Sequence, residues 1–467
     1  MATDSSPTLA SLARDLSAGR ITSHMLVAGC LERISAADGE GSRTFLKVHA
    51  EQALSTADFY DQSRRRGALF GPFAGIPVSI KDLFDLAGDT TTSASTVLRD
   101  APAALADCPA VARLKAAGFV VIGRTNMTEF AFSGLGLNPH YGTPLNPWDR
   151  ATGRIPGGSS SGAAVCITDG MAFGALGTDT GGSCRIPAAL CGIVGFKPTA
   201  HRVPKSGVYP LSTTLDSVGS LARSVTCCRA LDAVLAGDAS PEDLQALVSA
   251  NAGSERTAGD VRGLRLGVLS SYVVEGIASP IAAAYQRALR ELSAAGAILT
   301  DVLVPELNDL PHLNRNGGIA AAEAYALHRA RLNSDASRYD PRVASRIMRA
   351  REQDAADYIE LLRARAVFIE RVSRRLMQFD AVIMPTVPVV APAISELATD
   401  DVYVRTNAMV LRNSSVVNFL DGCAISLPCH EPGSAPAGLT LFGLRDADQR
   451  LWSVASAVER CLQDPLH

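Results

Sequence analysis

The spacing of apolar residues near the start of the chain predicts two helices. Apolar positions recur three and four residues apart, as on one face of a helix, at Leu9, Leu12 and Leu16 and then at Val27, Cys30, Leu31 and Ile34. Ser23 precedes the second set and is a residue type that commonly caps helices. We therefore expect two helices within the first 35 residues.

A different pattern begins near residue 70. Short apolar runs alternate there with glycine-rich turns and small helices, at 76–80, 119–122 and 171–177. Alternating short strands and helices predict an α/β domain with a largely parallel core. Residues 138–158 form a long loop rich in Asn, Pro and Gly.

The pattern changes again between residues 225 and 380, which are more helical and more charged. One βαβ-like unit interrupts this stretch, with strands expected at 264–269 and 298–304. Strand-like runs return near the end, at 381–384, 424–427 and 438–442.

A length of 467 residues would fit about three average domains. No linker is polar enough to separate free domains, so we predict one domain over 1–467. Its core is expected at about 70–225, a variable helical insertion at about 225–380 and a C-terminal return to the core at 381–467.

Composition and charge narrow the functional classes. With 47% hydrophobic and 19% charged residues, the chain can bury a large core. A net charge of −3 without a basic stripe argues against nucleic acid as a ligand. No apolar run reaches the length of a membrane span, and the N-terminus lacks a secretory signal, so neither membrane nor export is expected.

Cysteine and histidine usage adds two expectations. The ten cysteines include no Cys-x-x-Cys pair, which fits a reducing cytoplasm. The eight histidines are scattered and form no His-Glu-x-x-His motif. We therefore predict a cytoplasmic protein that needs no metal and no organic cofactor.

Lys81 is the first residue that points to chemistry, because it ends the apolar run at 76–80. Burial destabilises an ammonium group and lowers a lysine pKa from its usual value of about 10.4. Such a lysine either extends its amine to water or, in the neutral form, acts as a general base. The pattern alone leaves both open.

Two glycine-rich segments are the next candidates. Residues 156–162, Pro-Gly-Gly-Ser-Ser-Ser-Gly, place three hydroxyls on a tight bend, and no Gly-Lys-Ser/Thr follows to indicate a phosphate loop. Residues 177–187 lead from a strand of small residues through a Gly-Gly turn to Ser183. Consecutive backbone N–H groups in such a turn can bind a developing oxyanion, as acyl transfer requires.

These three segments, in this order, resemble the amidase signature family. The resemblance extends to motifs at 70–78, 124–130, 140–147, 191–199, 215–223 and 379–388. It implies an α/β amidase-signature fold, with a twisted mixed sheet flanked by helices on both faces. It also implies hydrolysis of linear carboxylic amides without a cofactor, and family habit suggests a homodimer.

The resemblance assigns roles to the matched residues. Ser183 stands where the family has its nucleophile, and Ser159, 24 residues earlier, stands where it has a bridging serine after a cis peptide bond. Lys81 matches the base. Residues expected to bind the oxyanion or the substrate are Thr180, Gly181, Gly182, Gly158 and Met127. Residues expected to support the nucleophile turn are Asp179, Arg185 and Ser160.

Two other nucleophiles compete with this assignment. Residues 158–162 also fit the Gly-x-Ser-x-Gly elbow of α/β-hydrolases, which would make Ser160 the nucleophile and His430 its base. That elbow needs a strand directly before it, and 151–156 does not have a strand pattern. Cys184 could be a nitrilase-type nucleophile, but that position is commonly aliphatic in the family.

A further alternative lies within the resemblance: the glutaminase subunit of a tRNA-dependent amidotransferase, which works in a complex. Such subunits usually have an aspartate that binds the glutamine amino group, seven residues before an asparagine matched here by Asn418. Leu411 occupies that position. The glutamine site is therefore in doubt.

The sequence does not identify the amide. Residues 126–137, the helical insertion and 403–418 are expected to line the pocket of a small-molecule substrate. Phe130 and Phe132, with Met127, indicate either an apolar acyl pocket or ordinary core packing. Arg405 and Arg412 would favour an anionic or carbonyl-rich substrate unless they are simply exposed.

Overall fold

A computed structural model describes residues 7–68, 70–250 and 260–463. The strands in these residues are β1 Phe45–Val48, β2 Pro77–Lys81, β3 Val120–Thr125, β4 Gly174–Asp179, β5 Val194–Lys197, β6 Ser217–Ala222, β7 Arg265–Leu269, β8 Ile298–Val302, β9 Ala381–Pro385, β10 Cys423–Pro428 and β11 Gly438–Gly443. The helices are α1 Leu9–Ser17, α2 Ser23–Ser35, α3 Gly41–Thr44, α4 Ala50–Arg65, α5 Pro109–Ala116, α6 Ser161–Thr168, α7 Arg185–Cys191, α8 Val225–Ala236, α9 Pro241–Ala250, α10 Ser279–Ala294, α11 Leu310–Leu313, α12 Gly318–Asp335, α13 Pro341–Met348, α14 Ala355–Leu376, α15 Asp400–Leu420 and α16 Asp448–Gln463.

All of these strands form one sheet in the order β1-β3-β2-β4-β6-β5-β10-β11-β9-β7-β8. Parallel pairs lie on either side of a central antiparallel region: β2 pairs with β3 and β4, and β7 with β8 and β9. The expectation of a largely parallel core was wrong. β10 and β11 are joined by a short connection and β5 and β6 by a loop, and without a crossover helix neighbouring strands run antiparallel.

Helices cover both faces of this mixed sheet, which confirms the predicted fold class. Successive residues of a strand point to opposite faces. On β4, Leu176 packs into a core cluster with Val111 of α5 and Leu231 of α8, whereas Ala175 packs into a second cluster with the apolar side of α6. The sheet is therefore buried on both sides, as its nearly continuous apolar strands require.

The N-terminal helices form where the apolar spacing predicts them, but the cap of α2 is one residue earlier. Thr22 is the cap, and its side chain accepts a hydrogen bond from the N–H of Met25. Ser23 is already helical, and its hydroxyl donates to the carbonyl of Gly75. Ser23 thus links α2 to the residues that lead into β2.

The part of the chain expected to be a variable insertion contributes to both the sheet and the site. The predicted βαβ unit is β7, α10 and β8, which extends one end of the sheet. α12, α13 and the 21-residue α15 lie over the ends of the strands that carry the candidate residues. No helix in the described ranges has the length and hydropathy needed to cross a membrane.

Candidate active site

Lys81 is the last residue of β2, and its side chain has no solvent exposure. Its Nζ lies 2.7 Å from the Ser159 hydroxyl and 2.9 Å from the Thr178 hydroxyl. Burial lowers the pKa of Lys81 to about 8, although the nearby carboxylates of Asp216 and Asp179 act in the opposite direction. At pH 7 a pKa near 8 leaves about a tenth of the amines neutral. The lysine is therefore a usable general base.

Ser159 follows a cis Gly158–Ser159 peptide bond, as the family resemblance implies. The backbone around it is fixed by hydrogen bonds from Gly158 N–H to the carbonyl of Gly134 (2.8 Å) and from Thr128 N–H to the carbonyl of Ser159 (3.1 Å). The hydroxyl of Ser159 faces Lys81. This arrangement fixes the backbone of the bridging candidate and places its hydroxyl on the Lys81 amine.

Ser183 lies on the turn between β4 and α7, and its residue is only 3% exposed. Its carbonyl accepts a hydrogen bond from the N–H of Ser160 at 3.3 Å, which holds the two serine-bearing segments together. Among the described residues, its hydroxyl has no hydrogen-bond partner, and Ser183 lines the adjoining cavity. The hydroxyl is thus available to a ligand.

Asp179, at the end of β4, organises the turn. Its carboxylate accepts hydrogen bonds from the N–H groups of Gly182 (2.9 Å) and Cys184 (3.2 Å) and from two nitrogens of Arg185. Burial alone would raise the pKa of Asp179, but the Arg185 guanidinium lowers it to about 2. Asn418 of α15 also donates to this carboxylate at 2.9 Å. Asp179 and Arg185 thus hold the backbone of the turn that carries Ser183.

These hydrogen bonds to Asp179 reduce the number of backbone N–H groups in the turn that could bind an oxyanion. Gly182 N–H donates to Asp179 and is not available to a ligand in this arrangement. The N–H groups of Thr180, Gly181 and Ser183 have no acceptor among the residues that the structure describes. Gly182 is needed for another reason: it has a φ of +132°, and a Cβ there would lie 2.1 Å from Ser414 Oγ.

Three neighbours of the turn were missed by the sequence patterns. Thr178 is the second partner of Lys81. Asp216 accepts a hydrogen bond from the Thr180 hydroxyl, and burial raises its pKa to about 6 despite that bond. Ser414 of α15 donates to the carbonyl of Gly181 at 2.7 Å. Only Asp216 carried a signal, since it lies in the motif at 215–223.

The two rival nucleophiles lie in unfavourable surroundings. Cys184 is fully buried, and burial raises the pKa of its thiol, which suppresses the reactive thiolate. The Ser160 hydroxyl donates to the carbonyl of Thr178. His430 lies against Gly192 after α7, and within the described ranges no hydrogen bond joins it to Ser160.

The cavity beside Ser183 has a volume of about 680 Å³. Its apolar wall includes Phe132, Leu215 and Leu411, and the turn contributes Thr180 and Gly181. Met127 and Gly158, expected beside the substrate, are not among the described residues that line it. Met127 is fully buried, in the core cluster that also contains Phe132.

The other residues expected at the pocket differ in whether they line the cavity. Phe130 packs on the rings of His328 and Tyr339 rather than lining the cavity. Arg405 is exposed at the cavity, whereas Arg412 donates to the backbone carbonyls of Glu275 and Val273. Within the described residues, no group of three or more His, Cys, Asp or Glu side chains could hold a metal ion.

The mixed sheet and this site define an amidase-signature hydrolase. A model of the amidase family matches residues 25–452, so the chain belongs to the amidase family. It is 35% identical to 2-amino-5-chloromuconic acid deaminase of Comamonas testosteroni, covering 87% of this chain and 86% of the relative.

Two further proteins of the family show how broad its functions are. The chain is 33% identical to a glutamyl-tRNA(Gln) amidotransferase subunit of Moorella thermoacetica, covering 94% and 93% of the two chains. A crystal structure described as an amidase superposes with a TM-score of 0.85 at 27% identity, covering 97% and 99%. Family membership therefore fixes the class but leaves the substrate open.

Proposed function

We propose that the protein hydrolyses the C–N bond of a linear carboxylic amide through an acyl-enzyme on Ser183. The observation that carries this proposal is the fully buried Lys81 amine, 2.7 Å from Ser159 and with its pKa lowered to about 8. A buried lysine with a lowered pKa can also be structural, but this amine contacts the hydroxyls of Ser159 and Thr178, and a hydroxyl can pass it a proton. The amine therefore has a clear use as a base.

In the proposed reaction, neutral Lys81 accepts a proton from Ser159 while Ser159 accepts one from Ser183. The Ser183 oxygen then bonds to the carbonyl carbon, and the oxyanion accepts hydrogen bonds from the free N–H groups of the turn. Protonated Lys81 returns the proton through Ser159 to the leaving nitrogen, and the C–N bond breaks.

Water completes the cycle. It attacks the acyl carbon, Lys81 again takes a proton through Ser159, and the carboxylic acid leaves as Ser183 regains its proton. The relative from Comamonas testosteroni is called a deaminase, so it shares release of ammonia with hydrolysis of a primary amide, but the substrate in its name carries the nitrogen as a 2-amino group. The homodimeric state and the cytoplasmic location remain predictions from the sequence.

Covalent trapping tests this proposal. A fluorophosphonate should add to the wild-type protein in a one-to-one ratio, and peptide mass spectrometry should find the adduct on Ser183. Ser183→Ala should abolish both labelling and amide hydrolysis. Cys184→Ala is the matched control, because the adjacent side chain should be dispensable for labelling. Labelling of Ser160, or inactivation by a thiol alkylator alone, would contradict the proposal.

The second candidate is the glutaminase component of a tRNA-dependent amidotransferase, which is favoured by the 33% identity to a glutamyl-tRNA(Gln) amidotransferase subunit. Leu411, in the position of the usual aspartate, weighs against it, since it lines the cavity and cannot pair with an ammonium group. Glutamine hydrolysis by the purified chain, or co-purification with a partner protein, would favour this candidate.

A further inference from the structure

Among the described residues, the charged side chains that line the cavity are all positive. The described lining includes no Asp or Glu but has four arginines: Arg346, Arg349, Arg405 and Arg412. Cations in a cleft without neutralising carboxylates create a positive potential that attracts anionic ligands. A ligand can be held only by a cation that the protein does not already use.

Two of the four are occupied by the protein. Arg412 donates to the carbonyls of Glu275 (2.6 Å) and Val273 (3.1 Å). Arg349 is exposed and donates to the carbonyl of Arg315 at 2.8 Å. Both therefore tie together segments of the backbone. Arg405 is exposed, which leaves it able to steer a ligand but poorly able to desolvate one.

Arg346 is different. It lies on α13, and its guanidinium stacks over the ring of Phe132 at 4.8 Å. Its Nε is buried without a hydrogen-bond partner, and among the described residues no carboxylate pairs with it. Arg346 is partly exposed, so its other nitrogens can reach solvent, but a buried Nε without a partner is unusual because buried donors are normally satisfied. A ligand oxygen would satisfy this one.

A second unsatisfied donor lies on the same wall. Asn407 of α15 is fully buried and lines the cavity. Its Oδ1 accepts hydrogen bonds from Ser133 Oγ at 2.9 Å and from Gly134 N–H at 2.8 Å. A backbone N–H can only donate, so this bond fixes which end of the amide is oxygen.

The orientation of the Asn407 amide determines where its Nδ2 lies. This nitrogen is buried with no hydrogen-bond partner. Because Arg346 contacts Phe132 and Asn407 contacts Ser133 and Gly134, both open donors border one short segment, 132–134. Arg346 and Asn407 both line the cavity, and together they offer donors from two separate helices to an acceptor group there.

We propose that Arg346 and Asn407 bind a carboxylate of the substrate, one oxygen on the guanidinium and the other on Nδ2. This inference rests on the proposed amidase function and names its substrate class: monoamides of dicarboxylic acids. A substrate ammonium would find no carboxylate on the described cavity wall, so amino-acid amides such as glutamine are disfavoured.

Matched substrates test the inference. For the wild-type protein, kcat/KM should be about 100-fold higher for glutaramate than for pentanamide, which has the same chain length without the charge. Arg346→Met should lower kcat/KM for glutaramate about 100-fold and change that for pentanamide less than about threefold. Arg329→Met, an exposed arginine on α12, is the control and should preserve the preference.

Asn407→Asp is the sharper variant. It keeps the oxygen that Gly134 and Ser133 bind but replaces the Nδ2 donor with an anionic oxygen. It should abolish the preference for glutaramate while pentanamide hydrolysis persists. Equal losses on both substrates in the Arg346 and Asn407 variants, or a wild-type protein that prefers pentanamide, would overturn the inference.

Binding separates this inference from the proposed function. Calorimetric titration of Ser183→Ala with glutarate should show binding that is lost when Arg346→Met is added. If no amide is hydrolysed but glutarate binding depends on Arg346, the carboxylate site stands and the amidase proposal fails. If amides are hydrolysed and glutarate binds equally to both variants, the amidase proposal stands and the carboxylate site fails.

Discussion

The two sides of the cavity differ in how their polar groups are satisfied. On the side of the sheet, Asp179 accepts hydrogen bonds from backbone N–H groups, from Arg185 and from Asn418. On the side of the helices, Arg346 and Asn407 keep donors without partners. The Asp179 cluster on the first side is satisfied without a ligand, and it fixes a turn whose remaining N–H groups and Ser183 hydroxyl are open, as preorganised catalytic groups should be. The second is completed only by a ligand, which is where selectivity between substrates can arise.

The contrast extends to the two buried lysines. Lys81 and Lys197 are both fully buried, and burial lowers the pKa of each to about 8. Lys197 donates to the carbonyls of Pro198 (2.8 Å) and Gly422 (2.6 Å), which cannot accept its proton. Lys81 instead contacts two hydroxyls, those of Ser159 and Thr178, and a hydroxyl can pass a proton to an amine. The neighbours of the amine, rather than its pKa, distinguish a base from a structural cation.

The largest expected effect comes from replacing each of the two buried lysines with methionine. Lys81→Met should lower kcat about 10⁴-fold, because removing one member of a catalytic relay costs nearly as much as removing them all. Lys197→Met should instead lower the free energy of unfolding, with kcat of the folded protein kept within about tenfold. Amide hydrolysis and urea unfolding of both variants provide the measurement. Similar losses of kcat in the two would contradict the assignment.

The next largest effect is expected at Asp179, on the sheet side of the cavity. Asp179→Asn leaves Arg185 buried without its counter-charge, and such a loss costs about 3–5 kcal/mol. Urea unfolding should detect it as a lower midpoint with an unchanged slope. Asp15→Asn is the control, because the exposed Asp15–Arg20 pair contributes at most about 1 kcal/mol. Equal midpoints in the two variants would show that the buried pair contributes no stability.

Hydrolysis should also depend on pH through Lys81. The amine acts as a base only when it has lost its proton, so activity requires the deprotonated form. With a folded-state pKa of about 8, kcat/KM should rise about tenfold per pH unit below pH 7 and level off above pH 8. A pH profile from 5 to 10 with a stable amide measures this. An activity that is already constant between pH 5 and 7 would exclude Lys81 as the titrating base.

The candidate site residues on the sheet side of the cavity were easier to predict from the sequence than those on the helical side. The family resemblance assigned the roles of Ser159 and Ser183, whereas from the pattern alone only Lys81 and the two serine-bearing, glycine-rich turns were accessible. Thr178 was not, because it is an ordinary residue of a small-residue strand. It reaches Lys81 through the parallel pairing of β2 with β4, which only the sheet order determines.

The helical side was harder to predict. Arg346 lies in a charged helical stretch where an exposed arginine is the usual outcome, and only the packing of α13 on Phe132 makes it a wall of the cavity. The sequence leaves Arg412 as either a substrate contact or an exposed arginine, whereas in the structure it donates to two backbone carbonyls. Which donors remain free depends on tertiary neighbours, and residue type does not reveal them.

The smallest effect concerns Arg405, the exposed cation at the cavity. If Arg346 binds the carboxylate and Arg405 only attracts it, Arg405→Gln should lower kcat/KM for glutaramate about threefold at low salt. The difference should vanish near 1 M salt, where the Debye length falls to about 3 Å. The effect of Arg346→Met should persist there, since a buried contact is screened far less. Rates at about 0.05 and 1 M salt make the comparison, and a salt-resistant loss in Arg405→Gln would place the carboxylate on Arg405 instead.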